Sequence, residues 1–270
     1  MMQVTDMHCH YHVEGAIASG LEKVLPGPRA VVLGTQPEDW NALAAWVQAL
    51  PDTIVPGFGL HPWNVHRCCP DEDPDCLDAI LDSLERCLHR YPQAWVGEIG
   101  LDNRVAKQQP DRPAARARQR LVFARQLVLA HRLQRPVSLH NLHAAGPLVE
   151  VLLEQQGALP PGIVLHSFSG SPETAQRLVA LAREAGVHIA FGFSRAVNAR
   201  SDQWQHVARA VGLDALVVES DRLTPAHAAD DLTWMVQALA DLFDLTVDDT
   251  LQRLEATASL FLALTSPTHS

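Results

Sequence analysis

Eight short apolar runs recur along the chain, each followed by residues whose apolar members fall at three- and four-residue spacing. Strands that alternate with helices from end to end point to a parallel sheet covered by helices. The runs are Gln3 to His8, Ala30 to Leu33, Thr53 to Phe58, Ala94 to Ile99, Pro136 to His140, Gly162 to His166, Val187 to Phe191 and Ala215 to Glu219. Several, such as VVLG, AWVGEIG and LVVES, are apolar almost throughout, as befits strands buried on both faces. Eight such units predict an α/β fold of the TIM type, a closed (β/α)8 barrel, spanning residues 1–270 as one domain. Its interior is expected to hold Val4, Val31, Val55, Val96, Val137, Val164, Ile189 and Val217.

The helices between the strands carry apolar stripes. Leu77, Ile80, Leu81, Leu84 and Leu88 form one, and Leu148, Val151 and Leu152 begin another between Pro147 and Gly157. Ser171 and Pro172 read as an N-cap and first turn ahead of Ala175, Leu178, Val179 and Ala182. Thr246 and Asp249 likewise precede Leu251, Leu254, Ala258 and Leu262. The polar stretch from Asp102 to Arg120 reads as a long surface loop.

Composition narrows the function. A net charge of -10 gives no broad positive field for a polyanion, so contact with nucleic acid must rest on metal charge or a local basic patch. The candidate patch, Arg112, Arg116, Arg118 and Arg120, reads as the solvated face of a helix. Five cysteines imply no disulfides in a chain of this size, and Cys68, Cys69 and Cys76 beside His66 lack the CxxC pair of a zinc site. No apolar run reaches 18 residues, and MMQVTDMHCH lacks the blocks of a signal peptide. The expectation is a cytoplasmic protein with no membrane association and no obligate protein partner.

The chemistry-bearing residues gather at the carboxyl ends of the strands, where barrels of this kind build their sites. His8 and His10 end the first strand two residues apart, so both imidazoles point to one side. Glu98 ends the fourth strand, His140 the fifth and His166 the sixth, and Asp221 follows the eighth. A carboxylate beside buried apolar strands is costly unless compensated, and a metal supplies that charge. These six residues are the expected ligands of one or two divalent ions, with Zn, Mn, Co, Ni and Mg all compatible with nitrogen and oxygen donors. Glu98, midway in strand order, is placed to bridge two ions roughly 3.5–4 Å apart.

DMHCH at 6–10, GLHPW at 59–63, GEIGLD at 97–102, PVSLH at 136–140, HSFSG at 166–170 and ESD at 219–221 together resemble the TatD family of metal-dependent nucleases, within the amidohydrolase-like barrels. The resemblance implies that His8, His10, Glu98, His140, His166 and Asp221 hold the metals, that Glu98 bridges them, and that Asp221 also handles the proton of the attacking water. The chain departs from the family where Tyr11 and His12 follow the second histidine and where Trp63 ends an HPW triplet. It departs again where Asn141 and Leu142 follow His140 in place of a motif ending in arginine, which removes a phosphate clamp. Arg222 follows Asp221 where the family usually has a proline close behind.

The function expected is hydrolysis of DNA phosphodiesters by metal-activated water, with Asp221 and Glu98 as catalytic residues. His61, Trp63, Asn141, Arg195 and Arg222 are the candidates for substrate binding: the arginines for phosphate oxygens, Trp63 as a stacking face for a base. The same ligands would serve a hydrolase of a small phosphoester, carboxyl ester, lactone or amide, since activated water attacks carbon and phosphorus alike. A catalytically silent interaction protein is the third possibility, and retention of every expected ligand argues against it.

Overall fold

A computed structural model of the protein describes residues 3–15, 25, 27–70 and 75–265. Its strands are β1 (Asp6–Cys9), β2 (Ala30–Leu33), β3 (Ile54–Phe58), β4 (Trp95–Asp102), β5 (Val137–Leu142), β6 (Gly162–Leu165), β7 (His188–Ser194) and β8 (Leu216–Glu219). They run parallel in the order β1-β2-β3-β4-β5-β6-β7-β8. The sheet curls until its edges meet: Asp221 N donates to His8 O at 3.0 Å and His10 N to Arg222 O at 2.7 Å. This is the eight-stranded barrel that the alternating pattern predicts.

The helices are α1 (Tyr11–Glu14), α2 (Trp40–Ala49), α3 (Val65–Cys68), α4 (Cys76–Arg90), α5 (Asn103–Ala106), α6 (Arg112–Arg132), α7 (Ala145–Glu154), α8 (Pro172–Ala185), α9 (Arg195–Asn198), α10 (Gln203–Val211), α11 (Ala228–Phe243) and α12 (Val247–Ala263). The expected caps form: Ser171 Oγ accepts from Thr174 N at 3.2 Å, and Thr246 Oγ1 from Asp249 N at 3.1 Å. Helix α12 closes the amino-terminal end of the barrel. Its Glu255 accepts from Thr5 N and Oγ1 at 2.5 and 2.9 Å, and its Phe261 packs on Trp95 with ring centroids 6.4 Å apart.

Two expectations are corrected. The interior cluster holds Met7, Val31, Leu33, Val55, Trp95, Val164, Ala190 and Val217. Val31, Val55, Val164 and Val217 are as predicted, whereas Val4, Val96, Val137 and Ile189 lie in the layer between sheet and helices. A strand that is apolar on both faces carries no register signal, and a one-residue slip exchanges its faces. The stretch from Asp102 to Arg120 is no loop: it comprises the end of β4, helix α5 and the first turns of α6. Asp111 caps α6 by accepting from Ala114 N at 3.0 Å. The buried face of α6 carries Gln119 and Gln126 among its apolar residues, which breaks the pattern. Both glutamines hold the site-bearing loops, since Gln126 exchanges hydrogen bonds with the backbone of Leu60, and Gln119 bonds Asp102 N and Pro62 O. Of the arginines on this helix, Arg118 donates to Cys69 O and Pro70 O, and Arg120 pairs with Glu150 and Glu154.

Candidate metal centre

At the carboxyl end of the barrel the six expected residues converge around the Glu98 carboxylate, which is 2% exposed. Its Oε2 lies 3.4 Å from His8 Nε2 and 3.2 Å from His10 Nε2. Those two nitrogens are 3.2 Å apart, and Asp221 Oδ1 lies 4.0 and 3.8 Å from them. The other oxygen, Oε1, lies 2.9 Å from both His140 Nδ1 and His166 Nε2, which are 3.2 Å from each other. Glu98 thus offers one oxygen to each of two donor groups.

The donors fit a metal. Ligand bonds of about 2.0–2.2 Å set neighbouring donors about 3–3.5 Å apart in tetrahedral or octahedral coordination, and most of these separations fall there. No thiolate takes part, for Cys9 turns away and its thiol faces Val31 O at 3.5 Å. The ring orientations agree. His10 Nδ1 donates to Leu33 O at 2.7 Å, which leaves Nε2 of the neutral ring as a lone pair facing Glu98. His8 Nδ1 meets Ser138 Oγ at 2.8 Å, and His140 Nε2 meets Asp102 Oδ2 at 3.3 Å. His166 Nδ1 lies 3.4 Å from Glu219 Oε1, an ion-pair contact without hydrogen-bond geometry. A second nitrogen held by a carbonyl, hydroxyl or carboxylate is the usual state of a metal-binding imidazole.

His61 is turned the other way. Its Nδ1 accepts from Trp63 N at 3.1 Å, so the neutral ring carries its proton on Nε2 and donates to Glu98 Oε1 at 3.1 Å. Burial holds His61 neutral, bringing its pKa down to about 4. Although near enough to Glu98 and His140 to complete a third donor group, His61 in this orientation is a hydrogen-bond donor to Glu98.

Burial opposes the charge on Glu98, but His61, His166 and His8 around it hold its carboxyl well below the usual range. Of the stacked rings of His8 and His166, with centroids 3.9 Å apart, burial and the neighbouring His166 hold His8 down. Burial acts against His166 too, yet Glu98 and Glu219 keep it well above its ordinary value. The cluster is an anionic nest for positive charge.

Sequence reasoning missed the orienting residues Ser138, Asp102 and Glu219. Each sits on a strand, in PVSLH, GEIGLD or ESD, two residues before an expected ligand or four after one. That spacing, which returns a side chain to the same face, is the signal that would have found Ser138 and Glu219. Asp102 also caps α5, accepting from Arg104 N and Val105 N at 2.7 and 3.0 Å; its pKa is lowered to about 2 because hydrogen bonds from His140 and Trp63 outweigh burial. Glu219 fits because residue 192 is glycine: a Cβ there would lie 2.1 Å from Glu219 Oε2. Gly100, with φ +143, is required similarly, a Cβ being 2.0 Å from His140 O.

Of the substrate-side candidates, His61 and Trp63 stand against this centre, whereas Arg195 and Arg222 line a cleft that none of the six donors lines. Trp63 stands 4.8 Å from His61 and 5.9 Å from His140 between ring centroids. Arg222 donates to Asp231 through Nε at 2.6 Å, and Arg195 reaches the same buried carboxylate at 3.4 Å. The two arginines line an open cleft of about 390 Å³ with His227 and Asp230. Asn141 is half-buried, and its side-chain oxygen has no hydrogen-bond partner among the described residues.

Residues 5–262 match the family model of TatD related DNase. The chain is 23% identical to the Cut9-interacting protein scn1 of Schizosaccharomyces pombe over 98% of this chain and 100% of that one. It is 29% identical to human deoxyribonuclease TATDN3 over 70% of this chain and 65% of that one. The crystal structure of YJJV, a TatD homologue from Escherichia coli, superimposes with a TM-score of 0.74 at 25% identity, covering 96% of this chain and 97% of the other. Fold, donor set and matches agree on a metal-dependent hydrolase, and the chain belongs to the family of TatD-related DNases.

Proposed function

We propose that the protein is a metal-dependent deoxyribonuclease that hydrolyses DNA phosphodiester bonds. The observation that carries this reading is the division of Glu98 between two imidazole pairs, Oε2 toward His8 and His10 and Oε1 toward His140 and His166. In it, His8, His10, Asp221 and Glu98 Oε2 would hold one divalent ion, and His140, His166 and Glu98 Oε1 a second. When bound, such ions polarise a phosphoryl group and lower the pKa of the attacking water. Asp221, with its side chain 23% exposed at the mouth of the site, receives the proton of that water on a carboxylate oxygen. His61 steadies Glu98 by donating to Oε1, and Arg222 and Arg195, which pair with Asp231 and line a separate cleft, are the guanidinium groups that would meet phosphate oxygens in place of the absent motif arginine. A cytoplasmic site of action belongs to the same reading; the free thiols of Cys9, Cys68, Cys69 and Cys87 suit a reducing compartment, and no described helix is long and apolar enough to cross a membrane.

The net charge of -10 and the residues after His140 favour a second reading, hydrolysis of a small phosphoester, carboxyl ester, lactone or amide. The deciding experiment reconstitutes the protein with Zn, Mn, Co, Ni or Mg. It compares single-stranded DNA, RNA, small phosphodiesters and carboxyl esters, with Glu98→Ala as the matched control. DNA cleavage that disappears in Glu98→Ala is the expected result. Cleavage that persists there, or activity confined to small esters, would overturn the nuclease reading.

A further inference from the structure

Trp63 is an unusual surface residue. It is 59% exposed, the one exposed Phe, Tyr or Trp among the described residues, yet both of its N–H groups are held. Its indole N–H donates to Asp102 Oδ2 at 2.6 Å and its backbone N–H to His61 Nδ1 at 3.1 Å. Asp102 is itself fully buried and pinned as the cap of α5. The loop beneath is tied down on both sides: His61 N donates to Thr35 O at 2.9 Å, and Gln119 Nε2 to Pro62 O at 3.3 Å.

An exposed tryptophan ordinarily gains by folding its ring onto apolar surface. Here the polar edge is anchored inward and most of the ring surface is left to solvent. The ring therefore gains little from packing, and it is already immobile, so a planar partner laid on it would lose little entropy in ordering the protein. Its neighbours fix what that partner is joined to. His61 and His140, whose rings meet it edge to face, both contact Glu98 Oε1, so the platform stands one side chain away from the centre of the donor cluster. With divalent ions held in that cluster, a nucleotide within a strand fits the arrangement, its phosphate on the ions and its base on Trp63.

We infer that Trp63 is the platform on which a nucleobase beside the scissile phosphodiester stacks, held in place by Asp102, and that it makes this site prefer a base-bearing strand to a small phosphoester. The inference rests on the nuclease reading above and names the part of the substrate that the metal ligands do not choose. Base-on-aromatic stacking is tolerant of sequence, so the preference is for the presence of a base and not for one base over another. Asp102 acts as a positioning residue, since it touches the platform and the ligand His140 through the same oxygen, Oδ2.

The test is kinetic, with the metal-loaded protein and two probes: a single-stranded oligothymidylate, and an oligomer of equal length whose sugars are abasic but whose phosphodiesters are intact. Wild type should cleave the base-bearing strand with a KM about 5- to 150-fold lower than that of the abasic strand. Trp63→Ala should bring that ratio close to one. Trp63→Phe, which keeps an aromatic face but has no N–H for Asp102, should retain a ratio above that of Trp63→Ala. Equal KM values for the two strands in wild type would overturn the platform while leaving the nuclease reading intact, and so would a ratio that survives Trp63→Ala. Cleavage of neither strand, with small esters hydrolysed, would remove the nuclease reading and the platform with it.

Discussion

Ser138→Ala tests whether the surroundings of the donor cluster matter as much as the donors. The Ser138 hydroxyl lies 2.8 Å from His8 Nδ1, and both residues are fully buried. The neighbourhood is tight, since a Cβ on Gly97 would already lie 3.1 Å from the Ser138 Cβ, so a water has little room to replace the lost oxygen. A buried donor left without a partner costs about 1–3 kcal/mol. Loss of a residue that orients a metal-binding imidazole typically lowers affinity about 10- to 100-fold, which is about 1.4–2.7 kcal/mol. The two estimates agree, and the cost falls on metal affinity to the extent that the metal-free ring is able to relax. Chelator-competition titrations with Zn²⁺ and Mn²⁺ should show weakened binding at the site shared by His8 and His10, and thermal unfolding of the metal-free protein measures the remainder. Unchanged affinity together with unchanged unfolding temperature would refute the claim that Ser138 sets the His8 ring.

At saturating metal and substrate, Asp221→Asn should lower turnover by roughly 100-fold or more through loss of the proton acceptor, with metal content measured in parallel; near-wild-type turnover in the loaded variant would move that role to another group. His140→Ala and His166→Ala should lower occupancy of the ion beside Glu98 Oε1, and excess metal should restore part of the activity. Asp102 has a pKa lowered from 3.8 to about 2 in the fold, so its ionised form is the one the fold favours. That stabilisation is fully present above pH 4 and is lost as pH falls through 2, so Asp102→Asn should lower the unfolding free energy by about 2 kcal/mol near pH 6. The difference should shrink toward pH 2 in denaturant melts, and a pH-independent loss would count against the assignment.

The barrel and the convergence of six candidate residues at one end of it were legible in one dimension because both rest on local regularities. Alternation of apolar runs with helical stripes yields a parallel sheet whatever the details, and residues at strand ends share the same end of a barrel by topology alone. His8 and His10 need only the two-residue period of a strand to face one point. Asp102 to Arg120 reads as a loop for the same reason in reverse: within that stretch the buried face of α6 carries only Ala115 and Gln119, and a polar residue there interrupts the regularity on which the reading depends.

What the tertiary structure decided is everything set by contact between distant segments. The faces of β4 could not be told apart in the sequence, since both faces of that strand are buried; packing against helices on one side and the barrel interior on the other chose them. The division of roles among the histidines is also tertiary. His61 and His140 are chemically identical side chains, yet a backbone N–H from Trp63 takes the Nδ1 lone pair of one, while Asp102 takes the Nε2 proton of the other and turns Nδ1 to Glu98. An imidazole can offer a lone pair or a proton from each nitrogen, and only the partner that reaches its far side determines which one faces the centre.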